Sequence, residues 1–115
     1  MLVIRASQLR VLAQARVRSF APALLEHARA CHPQQWQALS GAEMAQLVDV
    51  MIEAAIAYGL TSLRSVARLL DLALVFGPPL PEAVQATMNA SVPADPARRL
   101  EQAWNDALFR LEAQA

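Results

Sequence analysis

The stretch from Tyr58 to Leu80, YGLTSLRSVARLLDLALVFGPPL, decides how the rest of the chain is read. It spells a helix stop, a turn, a buried helix and a second stop. Gly59 suits a left-handed cap on the preceding helix, with Leu60 folding back onto that helix's last turn. Thr61 or Ser62 offers a side-chain oxygen to the free N–H groups of the next helix. That helix spans 62–76. Gly77-Pro78-Pro79 ends it, because neither proline continues a helix.

At about 100° per residue, Arg64, Arg68, Asp71 and Val75 fall in one narrow stripe. Nearly everything else on the helix is Leu, Val, Ala or Phe. A helix apolar on most of its circumference is covered on several sides, so 62–76 is expected at the centre of the fold. Arg68 and Asp71, three apart, are placed to pair along the stripe.

Working outward, Ser40-Gly41-Ala42-Glu43 has the capping-box spacing and opens a helix that runs to Tyr58. Met44, Leu47, Val48, Met51, Ile52, Ala55 and Ile56 share one face, with Gln46, Asp49 and Glu53 opposite. Upstream, Ser7 suits the N-cap of a helix reaching about Cys31. Leu9, Leu12, Ala13, Val17, Phe20, Leu24 and Ala28 form its apolar stripe. Pro22 inside it predicts a kink or a split into two helices. The connection His32-Pro33-Gln34-Gln35 carries Trp36 and Leu39 as apolar anchors. Downstream, Pro81 leads a short helix from Glu82 to about Asn89, bearing Val84 and Met88. Asp95-Pro96 starts the last helix, with Leu100, Ala103, Trp104, Ala107, Leu108 and Leu111 as its stripe. No segment alternates with period two. The expectation is an all-α single domain over 1–115, a compact bundle of about five helices around 62–76.

Composition narrows the function classes. Hydrophobic residues make up 56% and charged residues 17% of 115 residues, which excludes disorder as the main state. That apolar excess is more than one small monomer easily hides, so an oligomer or a partner is expected. The net charge is zero, so no global field draws nucleic acid. Arg5, Arg10, Arg16, Arg18 and Arg29 face a single Glu26 before His32, whereas 40–59 carries only Glu43, Asp49 and Glu53. A basic first helix against an acidic second one is one reading of that asymmetry. A single cysteine fits a reducing compartment. The N-terminus lacks a signal-peptide plan, and no apolar run approaches the roughly 18 residues of a membrane span. No membrane partner is expected.

The chemistry-bearing residues are sparse. His27 and Cys31 lie four apart on a helix, with His32 beside them. Two ligands do not make a site and there is no second His/Cys cluster, so no metal and no cofactor are expected. The default reading is a core thiol and a surface imidazole. Asp49 and Glu53 are an acidic pair on a polar face and need a cleft before they act as acid and base. The three glycines are scattered, which excludes a phosphate loop. No enzyme is indicated. The competing class is a DNA-binding regulator. Ala55, Gly59 and Ser65-Val66-Ala67-Arg68 approximate a helix-turn-helix, but Ser65 stands where an apolar residue is needed. The polar face also offers a base edge only Arg64, Arg68 and Asp71.

The run Tyr58-Gly59-Leu60-Thr61-Ser62, then Val66-Ala67-Arg68, Leu70-Asp71-Leu72 and Phe76-Gly77-Pro78, with Ile4-Arg5 near the start, resembles a known family. These are small helical proteins encoded beside spike, PAAR and effector genes of bacterial type VI secretion systems. The match departs at Leu63, where the pattern carries an acidic residue, and at Pro79-Leu80, where it carries an acidic-aromatic pair. The resemblance implies a non-catalytic accessory protein or effector co-chaperone. It would act in the bacterial cytoplasm on a secretion effector or its adaptor. Trp36, Phe76, Pro78, Pro79 and Leu80 are the expected contact residues, since large side chains at helix ends and proline-fixed turns make interface anchors. On that expectation Leu80→Asp abolishes binding and leaves the helices intact.

Overall fold

The computed structural model describes residues 6–77, 80–90 and 94–114. Seven helices follow one another among them: α1 (Ala6–Arg18), α2 (Ala21–Cys31), α3 (Pro33–Ala38), α4 (Gly41–Tyr58), α5 (Leu63–Phe76), α6 (Glu82–Asn89) and α7 (Pro96–Gln114). Among the described residues there is no strand, and the fold is all-α. No helix among them is long and apolar enough to cross a membrane.

α5 is the centre. Val66, Leu69, Leu70, Leu72, Ala73 and Leu74 are buried on it, and it packs against α2, α4 and α7. Ser62 caps it by accepting from the Ser65 N–H at 3.1 Å. The turn before it is a Schellman motif: Leu60 N–H donates to the Ala55 carbonyl at 2.9 Å and Gly59 N–H to that of Ile56 at 3.1 Å. Leu60 is buried behind Gly59, whose φ is 80°. A methyl group at Gly59 would meet Pro96 Cγ at 3.3 Å and would force an L residue into the left-handed region. Gly59→Ala is therefore expected to cost about 1–2 kcal/mol in a urea titration. A variant as stable as the parent would show that the turn relaxes freely.

α4 has the capping box at its start: Glu43 N–H donates to Ser40 Oγ, and Ser40 N–H to the Glu43 carboxylate. Its apolar face, Met44 and Met51 included, is buried, while Gln46, Asp49 and Glu53 face outward. At the other end of the chain Asp95 caps α7, accepting from Ala97 N–H at 3.0 Å. Arg99 ties α7 to α6 by donating to the Met88 carbonyl at 3.2 Å.

Of the two outcomes expected at Pro22, a kink or a split, the structure takes the split, and the segment up to Cys31 is two helices. It breaks at Ser19-Phe20, and Pro22 falls in the first turn of α2, where its missing N–H leaves no helical bond unmade. The connection around Trp36 is also helical, as α3. These two features raise the expected five helices to seven. The apolar stripe of α1 is buried only toward its end. Val17 is buried, but Leu9 and Leu12 are 55% and 60% exposed. α7 behaves likewise, with Leu100, Ala103 and Ala107 buried and Leu108, Phe109 and Leu111 exposed. The basic α1 does lie against the acidic α4. Arg18 Nε donates to Glu53 at 2.9 Å, and this hydrogen bond, with the attraction of the guanidinium, holds the Glu53 carboxyl below its usual range. The pair is exposed and contributes little to stability.

Candidate functional site

Two places among the described residues bear on the expected site residues. The first is a groove where α5 ends. Phe76 from α5, Pro81, Val84 and Thr87 at α6, and Ala103, Ala107 and Leu111 from α7 line it, with Asp106 and Arg110 also contributing. Its volume is about 270 Å³. That is below the usual size of a cofactor pocket, about 300–1,000 Å³, and suits one or two apolar side chains. Thr87 donates its hydroxyl to the Ala83 carbonyl at 3.0 Å, so it offers the groove no free donor.

The expected contact residues divide around this groove. Phe76 is half-buried and lines it. Leu80 does not: it is 6% exposed and belongs to the core cluster. The Gln85 side chain donates to the Leu80 carbonyl at 2.7 Å, which fixes the backbone and holds the side chain inward. Leu80 is therefore a core residue, not an exposed anchor. Pro78 and Pro79 lie outside the described residues. Trp36, on α3, is half-buried against the core and is not part of the groove. Ala107, Leu111 and Val84 were legible only as core-stripe positions. Leu111 is 44% exposed at the groove.

The second place is the polar stripe of α5, and its pairing differs from the expected one. Arg68 does not bridge to Asp71. Its guanidinium lies over the Trp104 ring on α7, 4.6 Å from the centroid, in a cation–π contact. Asp71 instead receives two imidazoles. His27 Nε2 and His32 Nε2 each lie 2.7 Å from the same oxygen, Asp71 Oδ1. The side chains of His32, Asp71 and His27 are 13%, 14% and 30% exposed. His27 Nδ1, on the far side of its ring, is 3.7 Å from Cys31 Sγ. The expected assignment of a core thiol and a surface imidazole is thus reversed, since Cys31 is exposed and His27 is partly buried.

On a continuous helix His27 and His32 would point about 140° apart. His32 is the residue at which α2 stops, with φ −131° and ψ 61°, and that break swings its ring back toward α5. The lone acid in the apolar run of α5 was the sequence signal for this cluster. His27, His32 and Asp71 are the one group of three among the described residues whose donor atoms are placed to share a metal ion.

Of the residues of α5, Leu63, Arg64 and Val75 are exposed, while Arg68 and Asp71 are half-buried and engaged with α7 and with the two imidazoles. Comparison with protein-family models, curated proteins and solved structures returned no match.

Proposed function

We propose that this chain is a non-catalytic accessory protein or effector co-chaperone of a bacterial type VI secretion system. In this reading it works in the cytoplasm by binding a secretion effector or its adaptor. The observation that carries protein binding is the groove at the exit of α5, lined mostly by apolar side chains and rimmed by the exposed Leu111 of α7. Exposed apolar side chains beside a side-chain-sized groove are the composition of an interface core. The secretion context comes from the residues of 58–78 and their resemblance to the accessory family.

Co-expression with the products of neighbouring genes tests the proposal. The wild-type chain is expected to co-purify with one effector or adaptor. Leu111→Asp places a carboxylate on the groove rim, at a position already 44% exposed, and should cost little stability. Capture is expected to fall at least tenfold for this variant, with helical circular dichroism unchanged. Undiminished capture by Leu111→Asp removes the groove from the interface. Loss of self-association instead, read by light scattering, assigns the groove to a second copy of the chain. A hydrolytic activity of the pure protein that is lost with a point substitution would end the non-catalytic reading.

A further inference from the structure

We propose that His27, His32 and Asp71 form a binding site for a divalent transition metal of the zinc type, with water as the fourth ligand. The site does not depend on the secretion reading, since it lies on the α2–α3 joint and the polar stripe of α5 rather than in the groove.

Geometry is the first argument. Both Nε2 atoms approach one carboxylate oxygen at 2.7 Å, and the three donor atoms all lie within 4.8 Å of one another. Zinc bonds to nitrogen and oxygen are about 2.0–2.2 Å, which places neighbouring donors of a tetrahedral site about 3.3 Å apart. Reaching that spacing takes side-chain shifts of about 0.5–1.5 Å, which open the two Nε2–Oδ1 distances and close any wider separation. Without a metal, Oδ1 accepts from two Nε2–H groups. With one, each imidazole carries its proton on Nδ1 and turns the Nε2 lone pair to the ion. Cys31 Sγ, 3.7 Å from His27 Nδ1, then sits where an outer acceptor orients a ligating histidine.

The surroundings are the second argument. His32 and Asp71 are largely covered, while His27 is 30% exposed, so the ligands are sheltered and the cluster meets solvent on the His27 side. Arg68, one turn before Asp71, is held on Trp104 and does not neutralise the carboxylate. Two imidazoles and one carboxylate suit zinc, cobalt or nickel. Calcium and magnesium ask for oxygen ligands alone, and copper(I) for soft sulfur. Because the ligands come from α2, the α2–α3 joint and the core helix α5, a bound ion would clamp the N-terminal half of the chain to the centre of the fold.

Isothermal titration of tag-free, chelator-treated protein with zinc chloride tests the site, with cobalt(II) as the spectroscopic probe. One zinc per chain is expected, together with a higher unfolding temperature. The cobalt form is expected to show tetrahedral ligand-field bands in the visible and no thiolate charge-transfer band. Asp71→Asn and His32→Ala, each checked for helical circular dichroism, should weaken zinc binding by more than about a hundredfold. Cys31→Ser should stay within the roughly tenfold to hundredfold loss of an outer contact. If His32→Ala unfolds, the nearly isosteric Asp71→Asn carries the test. No heat of binding and no cobalt spectrum from the wild-type chain would overturn the proposal. Undiminished affinity in Asp71→Asn, or a cobalt–thiolate band abolished by Cys31→Ser, would overturn it too.

Discussion

Leu70→Ala is expected to lower the unfolding free energy by about 2–5 kcal/mol, and Arg64→Ala by less than about 1 kcal/mol, in parallel denaturant titrations. The two residues sit on one helix within two turns of each other, so helix propensity does not separate them. Burial does: Leu70 is fully buried and Arg64 is exposed. Leu70 is fully buried on a helix packed by α2, α4 and α7, and truncation there leaves a void in the centre of the fold. A close-packed interior relaxes only partly around such a void, so the cost exceeds the transfer free energy of the lost methyl groups. A small domain has about 5–15 kcal/mol in hand, so this one change consumes a large share. Equal losses in the two variants would mean that the buried face of α5 has been assigned the wrong way round.

That face was readable from the sequence because periodicity, caps and stops agreed. Gly59, Ser62 and Gly77 bound a helix that is apolar on most of its circumference, and such a helix has few places to go but the centre. The capping box at Ser40 and the Asp95-Pro96 start were legible for a similar reason: each is a local pattern whose partner lies within three residues. What was not legible depends on contacts between distant residues. Asp71 is 44 residues from His27 and 39 from His32, and nothing in the period of α5 announces either imidazole. Pairing Asp71 with Arg68 was the local solution. The aromatic face of Trp104, brought in by α7, takes the guanidinium away. The ends of α1 and α7 failed in the opposite sense. Their apolar stripes continue past the region that other helices cover, and periodicity reports which face is apolar, not what packs on it.

Leu80→Asp is expected to unfold the protein rather than to abolish partner binding selectively. The side chain is 6% exposed within the core cluster, at the point where the chain leaves α5 and turns into α6. Removing its apolar burial costs about 1.5–3 kcal/mol. The new carboxylate costs more still, because a charge without a hydrogen-bonding partner is strongly disfavoured in an apolar site. The Gln85 side chain donates to the Leu80 carbonyl at 2.7 Å, so turning the backbone to bring the carboxylate out to water would strain that bond. Together the two losses exceed about 4 kcal/mol, and urea unfolding at equilibrium should show the midpoint collapse or the folded baseline disappear. Leu80→Met, close in volume and able to follow the cavity, should cost less than about 1.5 kcal/mol. The pair separates burial from backbone effects at the exit turn. Under the proposed partner binding the two variants are expected to differ: Leu80→Asp to lose capture through unfolding, Leu111→Asp to lose it while folded. If Leu80→Asp keeps the wild-type midpoint, Leu80 is free at the surface, and the exit turn returns as a partner contact.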